Sequence, residues 1–392
     1  MAKATARTVR WGLMATGDIA KTFAKDILLD PVTRGTSDVV HVITGIASSS
    51  SVESAKRFYA GVVQPRQSSS IDCSTYGSYK ELVEDPAVDL VYISTPHSHH
   101  FQNCMLALNH KKAVLCEKPI AVNARQARKL HEVAKEKEVF LMEAMWTRFL
   151  PLSVVIRQLI NDRVIGDMLR VYVNNSIGTA VETLDKSHRY LNLALAGGAL
   201  LDIGVYPLTW LFQTLYHTQD PDLRSPPSAI SSLVEFHESS GTDQMVSLIM
   251  RFSMPSNSRL KVAHGIASTS MVLPDTEARG GPTVHIYGLE GEIQVWGPAH
   301  RAQSIKVIPK PGHGQPWERS FPIPAQGHGM FWEADEAARC WLAGKLECPG
   351  IPWDESALVM DVADEIRRQV KIVYPDEIET TEYPVQLGAR LS

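Results

Sequence analysis

At 392 residues the chain is longer than one hydrophobic core usually serves, so two domains are expected, dividing as 1–145 and 146–392. A formal net charge of −4, from 39 basic and 43 acidic residues without long runs of either sign, gives no electrostatic footprint for nucleic acid or an anionic membrane, which leaves a small molecule as the partner. Met1–Arg7 lacks the apolar stretch of a secretory signal, and no apolar run is read as membrane-spanning. The five cysteines are odd in number and scattered without a C-x-x-C pair, which fits a reducing, cytoplasmic compartment, and Ala389-Arg390-Leu391-Ser392 is not a peroxisomal address.

From Thr8 to about Glu143 short apolar runs alternate with amphipathic stretches. Val9–Met14, Val39–Ala47, Leu90–Ser94, Ala113–Cys116 and Phe140–Met142 read as strands, and Ile19–Leu29, Val52–Phe58, His99–Asn109 and Asn123–Lys137 as helices. That rhythm predicts a doubly wound parallel α/β sheet. The rhythm changes between Trp146 and Pro151. Beyond Gly197-Gly198 the strand-like segments Ile230–Phe236, Met245–Phe252, Val284–Tyr287, Ile293–Trp296 and Ile305–Ile308 follow with few helices between them, predicting a mostly antiparallel sheet. Pro221–Pro227 and Pro274–Pro282 read as loops, and His328–Ala343 and Glu355–Val373 as closing helices, the first stopped by Gly344.

The first strand runs into Ala15-Thr16-Gly17-Asp18-Ile19-Ala20, where Ala15, Gly17 and Ala20 take the three positions of a G-x-G-x-x-G/A dinucleotide fingerprint. Gly17 and Ala20 keep the roles of backbone approach to a pyrophosphate and close helix packing, while Ala15 must turn without positive φ or under strain. Alone the motif is equally a plain strand-to-helix turn; the strand before it, the helix it opens and the second strand after it favour dinucleotide binding. At the end of that second strand stands Ala47-Ser48-Ser49-Ser50-Ser51, with no acid to take ribose hydroxyls. Ser48 and Ser49, with help from Lys56 or Arg57, suit a 2′-phosphate, so NADP is the expected cofactor.

Two further segments reach the carboxyl edge of the sheet. Ser94-Thr95-Pro96-His97-Ser98-His99-His100 places Thr95, Pro96, His97 and His100 where cofactor binds, and no partnering cluster supports reading the histidines as a metal site. Cys116-Glu117-Lys118-Pro119 delivers an acid and a lysine at the same edge, with Cys116 read as a buried thiol and Lys118 open to a bland reading as a solvated strand-end lysine.

The order of the fingerprint, Thr95-Pro96, Glu117-Lys118-Pro119 and Gly197-Gly198-Ala199-Leu200-Leu201-Asp202-Ile203-Gly204-Val205-Tyr206 resembles the glucose–fructose oxidoreductase / inositol dehydrogenase (Gfo/Idh/MocA) family over nearly the whole chain. Met142-Glu143-Ala144-Met145-Trp146-Thr147-Arg148-Phe149 and Glu333-Ala334-Asp335-Glu336 are similar to the branch holding dimeric dihydrodiol dehydrogenase and fungal NADP-dependent D-xylose 1-dehydrogenases. The resemblance implies an N-terminal Rossmann domain, a C-terminal α/β domain with an open antiparallel sheet, and a homodimer formed through that sheet. It also implies Lys118, Asp202 and Tyr206 as catalytic residues, Tyr206 serving as the base with its phenolate stabilised by the Lys118 cation. Glu117 is expected on the cofactor side or as an orienting group. Trp146 and Arg148 are candidates for cofactor contact, and Arg148 and Arg189 for substrate contact, with packing as the alternative for all three. The expected reaction is NADP-dependent oxidation of an aldose, D-xylose first, at C1; oxidation of trans-dihydrodiols, reduction of dicarbonyls and non-catalytic NADP sensing are the alternatives.

Overall fold

Residues 6–275 and 280–388 are described by a computed structural model, in which the chain forms two units. Met1–Thr5, the 276–279 part of the Pro274–Pro282 stretch and Ala389–Ser392 lie outside the described residues. The first unit takes residues 6–146, Ile323–Ser356 and Thr380–Leu387, and the second takes Thr147–Pro322 and Ala357–Glu379. The first boundary falls between Trp146 and Thr147. The units are nevertheless not two consecutive segments, because later chain returns to the first.

In the first unit β1 (Arg7–Met14), β2 (Val39–Ala47), β3 (Ser74–Tyr76), β4 (Leu90–Ile93), β5 (Ala113–Glu117) and β6 (Leu141–Ala144) form a parallel sheet in the order β3-β2-β1-β4-β5-β6. The central strands β4 and β5 are buried along their length, as a sheet covered on both faces requires. Between the strands run α1 (Asp18–Ile27), α2 (Val52–Phe58), α3 (Tyr79–Glu84), α4 (His97–Asn109) and α5 (Ala124–Lys137). On α1 the buried Ala20, Phe23, Ala24 and Ile27 follow the i, i+3, i+4, i+7 spacing of one helical face. Ser51 caps α2 by accepting the Ser54 N–H at 3.2 Å, and Asn123 caps α5 by accepting the Gln126 N–H at 2.9 Å. β3 and α3 were not predicted: three and six residues are too short to show a period.

In the second unit α6 (Pro151–Asn161) precedes β7 (Met168–Ser176), and α7 (Val205–Leu215) precedes β8 (Ala229–Phe236), β9 (Asp243–Ser253), β10 (Val262–Ser270), β11 (Val284–Gly288), β12 (Gly291–Trp296), β13 (Ser304–Pro309) and β14 (Trp317–Ser320). The eight strands order as β14-β13-β12-β11-β7-β10-β9-β8, antiparallel except where β7 pairs with β10. Central β7 and β10 escaped the sequence reading because their second face carries His264, Ser268, Asn174 and similar polar residues, which break any apolar run.

A correction concerns hydropathy. Leu193–Leu215 is long and apolar enough to cross a membrane by length and composition, although no such run was expected. Its most apolar window is wholly buried inside the unit, where α7 is covered on every side. Gly197-Gly198, Asp202 and Pro207 interrupt the run and hid it.

Late in the chain α8 (Phe331–Leu342) belongs to the first unit. Asp335 accepts from Arg34 Nε and Nη2 at 2.9 Å each and from the Thr36 hydroxyl at 2.8 Å, and lies 2.8 Å from His41 Nε2. This buried network fastens α8 near β2, and although burial pushes the Asp335 carboxyl up, hydrogen bonds and charge from His41 and Arg34 hold it well below its ordinary range.

The turn from β1 to α1 carries strain. Ala15 sits at φ +99°, its N–H donating to Ala47 O at 3.1 Å. An L-residue in the left-handed region pays about 1–2 kcal/mol, while glycine there adds about 0.4–1 kcal/mol of unfolded-state entropy. Ala15→Gly is therefore expected to raise stability slightly, by up to about 1 kcal/mol in urea unfolding; a clear loss of stability would refute the strain.

Candidate active site

The carboxyl edge of the parallel sheet is held by polar side chains at consecutive residues. Glu117, buried at the end of β5, accepts the Tyr92 hydroxyl at 2.5 Å on Oε1 and the Lys118 N–H at 3.3 Å on Oε2. Tyr92 is itself fixed by stacking on Phe23 of α1, ring centroids 3.7 Å apart. The Pro119 carbonyl lies 2.7 Å from His100 Nδ1, and the Ile120 N–H donates to Glu143 Oε1 at 3.0 Å. Glu143 also accepts the Ser356 hydroxyl. Between these fastenings the Lys118 side chain is only half-buried, so a cation stands at a strand end whose backbone is rigid.

His100 was expected on the cofactor side, and the structure places it in the interior. It is fully buried, with its other ring nitrogen 2.9 Å from Thr95 O, and burial together with the adjacent His97 lowers the imidazole to about 3 although both carbonyl oxygens pull the other way. The ring lies between two loop carbonyls, and as a neutral imidazole it donates to one of them, which makes it a positioning residue for Thr95-Pro96 and Lys118-Pro119. Thr95 is held from the side by Asn103, whose Nδ2 donates to its hydroxyl at 3.0 Å. His97 opens α4 with its ring 5.8 Å from that of His100. Trp146 is buried and stacks on His328 at 5.0 Å, which gives it a packing role in the first unit. Cys116 is fully buried, and burial raises its thiol far above the ordinary value, so it is not a nucleophile.

At the fingerprint, Thr16 is half-buried and Gly17, Asp18 and Ile19 are exposed, while Ala20 is fully buried. Gly17 precedes α1 with φ −73°, a conformation open to any residue, and a Cβ there would meet nothing within 4 Å. At the end of β2 the buried Ser48 hydroxyl lies 2.9 Å from that of Ser50, Ser50 donates to Ser54 at 3.1 Å, and Arg57 Nη2 reaches the Ser54 hydroxyl at 2.9 Å. Ser49 accepts from Tyr79 at 3.3 Å, and Lys56 is turned to Glu53 at 3.7 Å.

The second unit assembles the other predicted residues. Arg189 binds the buried Asp202 carboxylate through both terminal nitrogens, at 2.8 and 3.2 Å. Asp202 lies in a wide, π-type helical turn (Leu200–Gly204) that runs directly into α7, so Asp202 and Tyr206 share a helical stretch as expected. Gly197-Gly198 makes this possible. Gly198 adopts φ +127°, and a Cβ on it would fall 2.0 Å from Asp243 Oδ1, whose partner oxygen accepts the Leu200 N–H at 2.6 Å. Tyr206 is nearly buried, with its ring 5.4 Å from that of His300, and His300 Nδ1 lies 3.0 Å from Asn175 Oδ1. His300 and Asn175 were missed; they sit in segments without motif. Arg148, only 1% exposed, is a core side chain of this unit.

A parallel sheet in this strand order, with a helix N-terminus behind its first strand and a lysine at its carboxyl edge, defines a dinucleotide-binding α/β unit. The chain belongs to the Gfo/Idh/MocA oxidoreductase family: residues 9–145 match its NAD-binding Rossmann fold, and residues 154–294 match a GFO/IDH/MocA C-terminal domain. It is similar to the D-xylose 1-dehydrogenase (NADP(+)) of Hypocrea jecorina, at 48% identity over 98% of this chain and 97% of that one. It is also similar to the trans-1,2-dihydrobenzene-1,2-diol dehydrogenase of Homo sapiens, at 31% identity over 94% of this chain and 99% of that one. In fold it resembles the aldose-aldose oxidoreductase of Caulobacter crescentus, with TM-score 0.73 and 20% identity over 93% of this chain and 98% of that one.

The residues present fit a dinucleotide. The open space over Gly17 admits a pyrophosphate against the first N–H groups of α1, and the serine cluster with Arg57 offers hydroxyl and guanidinium donors and no carboxylate.

Sequence reasoning missed a buried acid beside Glu117. Glu333, in the first turn of α8, has no exposure and neither carboxylate oxygen has a hydrogen-bond partner among the described residues. Burial first, then the charges of Glu117 and Asp26, raise it well above the ordinary range. A folded-state pKa above the unfolded value of about 4.3 gives stability that is complete below that value and lost as pH rises through the folded pKa. Glu333→Gln, which has no proton to lose, is expected to melt above the wild type at pH 9 and to show a flatter profile from pH 5 to pH 9; parallel profiles would remove Glu333 from this role.

Proposed function

We propose that the chain oxidises an aldose, D-xylose foremost, at C1 to the lactone with NADP⁺ as hydride acceptor. The observation that carries this reading is the 48% identity, over nearly the full length of both chains, to an NADP-dependent D-xylose 1-dehydrogenase. The acid-free serine cluster at the end of β2 supports NADP over NAD.

When bound, NADP⁺ supplies the acceptor for the carbinol hydride. Tyr206 takes the hydroxyl proton. A free tyrosine titrates near ~10 and is a poor base at neutral pH, so the Lys118 cation serves to stabilise its phenolate. Arg189 orients the Asp202 carboxylate through two hydrogen bonds, and together they offer an acceptor and donors to sugar hydroxyls. Glu117, Tyr92 and His100 act on the backbone around Lys118 and are positioning residues.

NADPH formation on adding D-xylose tests the reading, with NAD⁺ and a trans-dihydrodiol as the comparison arms. Turnover with D-xylose and NADP⁺ should exceed both alternatives, and Lys118→Ala should cut kcat/KM by about 10²–10⁴-fold while NADP⁺ still binds. Preference for the dihydrodiol would move the assignment to that activity, which relatives at 30–32% identity favour; binding of NADP⁺ without turnover on any sugar or diol would leave a sensor.

The reading includes a homodimer through the open face of the eight-stranded sheet. That face bears exposed Tyr172, Met245, Ile249 and Leu260 and a groove of about 840 Å³ lined by Arg170, His264, His285 and Tyr287 among others. Sedimentation velocity should give a dimer for the wild type and a monomer for Tyr172→Asp, and a monomeric wild type would end the proposal.

A further inference from the structure

Glu336 and Cys340 stand four residues apart on one face of α8, and Cys348 follows on the turn after the left-handed Gly344, at φ +70°. A Glu336 carboxylate oxygen and the two sulfurs all lie within 4.8 Å of one another, with Glu336 Oε1 3.7 Å from Cys340 Sγ. Tetrahedral Zn²⁺, with bonds of about 2.3 Å to sulfur and about 2.1 Å to a carboxylate oxygen, sets S···O near ~3.6 Å and S···S near ~3.8 Å. The three donors therefore need shifts of no more than about 1 Å to close on one ion. Both cysteines are buried and carry free thiols, and Glu336 is half-buried, so a side of the cluster reaches toward solvent. Two sulfurs and one carboxylate select a borderline-soft divalent ion over Mg²⁺ or Ca²⁺.

We propose that Glu336, Cys340 and Cys348 bind Zn²⁺ with a water as fourth ligand, at a site distinct from the residues assigned to catalysis. Binding expels the two thiol protons to solvent and leaves two thiolates on the metal. The ion ties the turn after α8 back onto the helix that also carries Glu333 and Asp335. No residue assigned above to catalysis belongs to the cluster. The spacing, three residues and then seven between ligands, matches no common zinc signature, which is why the sequence was read as offering no metal site.

The test uses the full chain, reduced with a phosphine and stripped with a chelator, titrated with CdCl₂. A saturable thiolate-to-Cd²⁺ charge-transfer band at one ion per chain is expected, suppressed by ZnCl₂ and unaffected by MgCl₂, with a rise in melting temperature. Cys340→Ser and Cys348→Ser should lose the band and Cys73→Ser should keep it. Glu336→Gln, at a half-buried position that leaves the core untouched, should keep a band but bind Cd²⁺ about tenfold or more weakly. No saturable band in the wild type, or a band that survives Cys348→Ser, overturns the site and leaves a Cys–Glu hydrogen bond in its place.

Discussion

Four consecutive residues at the end of β5, Glu117 to Ile120, are each fastened by a polar group from a different part of the first unit, and the placement of Lys118 depends on that fastening. Tyr92 reaches Glu117 from β4, Glu117 holds the Lys118 N–H, His100 meets the Pro119 carbonyl from α4, and Glu143 takes the Ile120 N–H from β6. The contacts at Glu117, Pro119 and Ile120 are buried, where an unmade hydrogen bond costs about 1–3 kcal/mol, so the loop has little freedom to rearrange. A lysine on a mobile loop would spend most of its time elsewhere; here only its side chain retains rotamers.

The second unit solves a similar problem with glycine. Asp202 and Tyr206 lie on a helix whose first turn is capped by a carboxylate, Asp243, brought so close to the chain that Gly198 can carry no side chain. Burial raises Asp243 to about 7 despite the N–H groups that favour its charge. Arg189 then neutralises Asp202 from the half-exposed side. The two units thus reach the same end by different means, rigid backbone with a polar side chain left to act.

The return of α8 to the first unit adds a third layer. Asp335 secures it to Arg34, Thr36 and His41, and Asp26 accepts the N–H groups of His328, Gly329 and Met330 at 2.7–2.8 Å just before it. That approach carries Glu333 in beside Glu117, and it carries Glu336 and Cys340 up to Cys348. One helix therefore supplies both a buried acid behind the lysine loop and a set of metal donors.

Much of the first unit was legible because a parallel sheet buried on both faces leaves continuous apolar runs separated by helical periods, and because fingerprint, Lys118 and Tyr206 stand in a recognisable order. The edges of helices and strands fell within a few residues for the same reason. What stayed hidden shares one physical property. His100, Glu117, Glu143, Glu333 and His300 are polar residues whose partners lie far away in sequence, and neither spacing nor periodicity encodes a contact of that kind. The amino-acid sequence by itself determined the alternation that makes a dinucleotide-binding sheet, the small residues at its first turn and the lysine at its edge. Tertiary structure alone decided which buried polar groups meet, and so which histidine is set between two loop carbonyls, because burial and pairing of charge are properties of the packed interior.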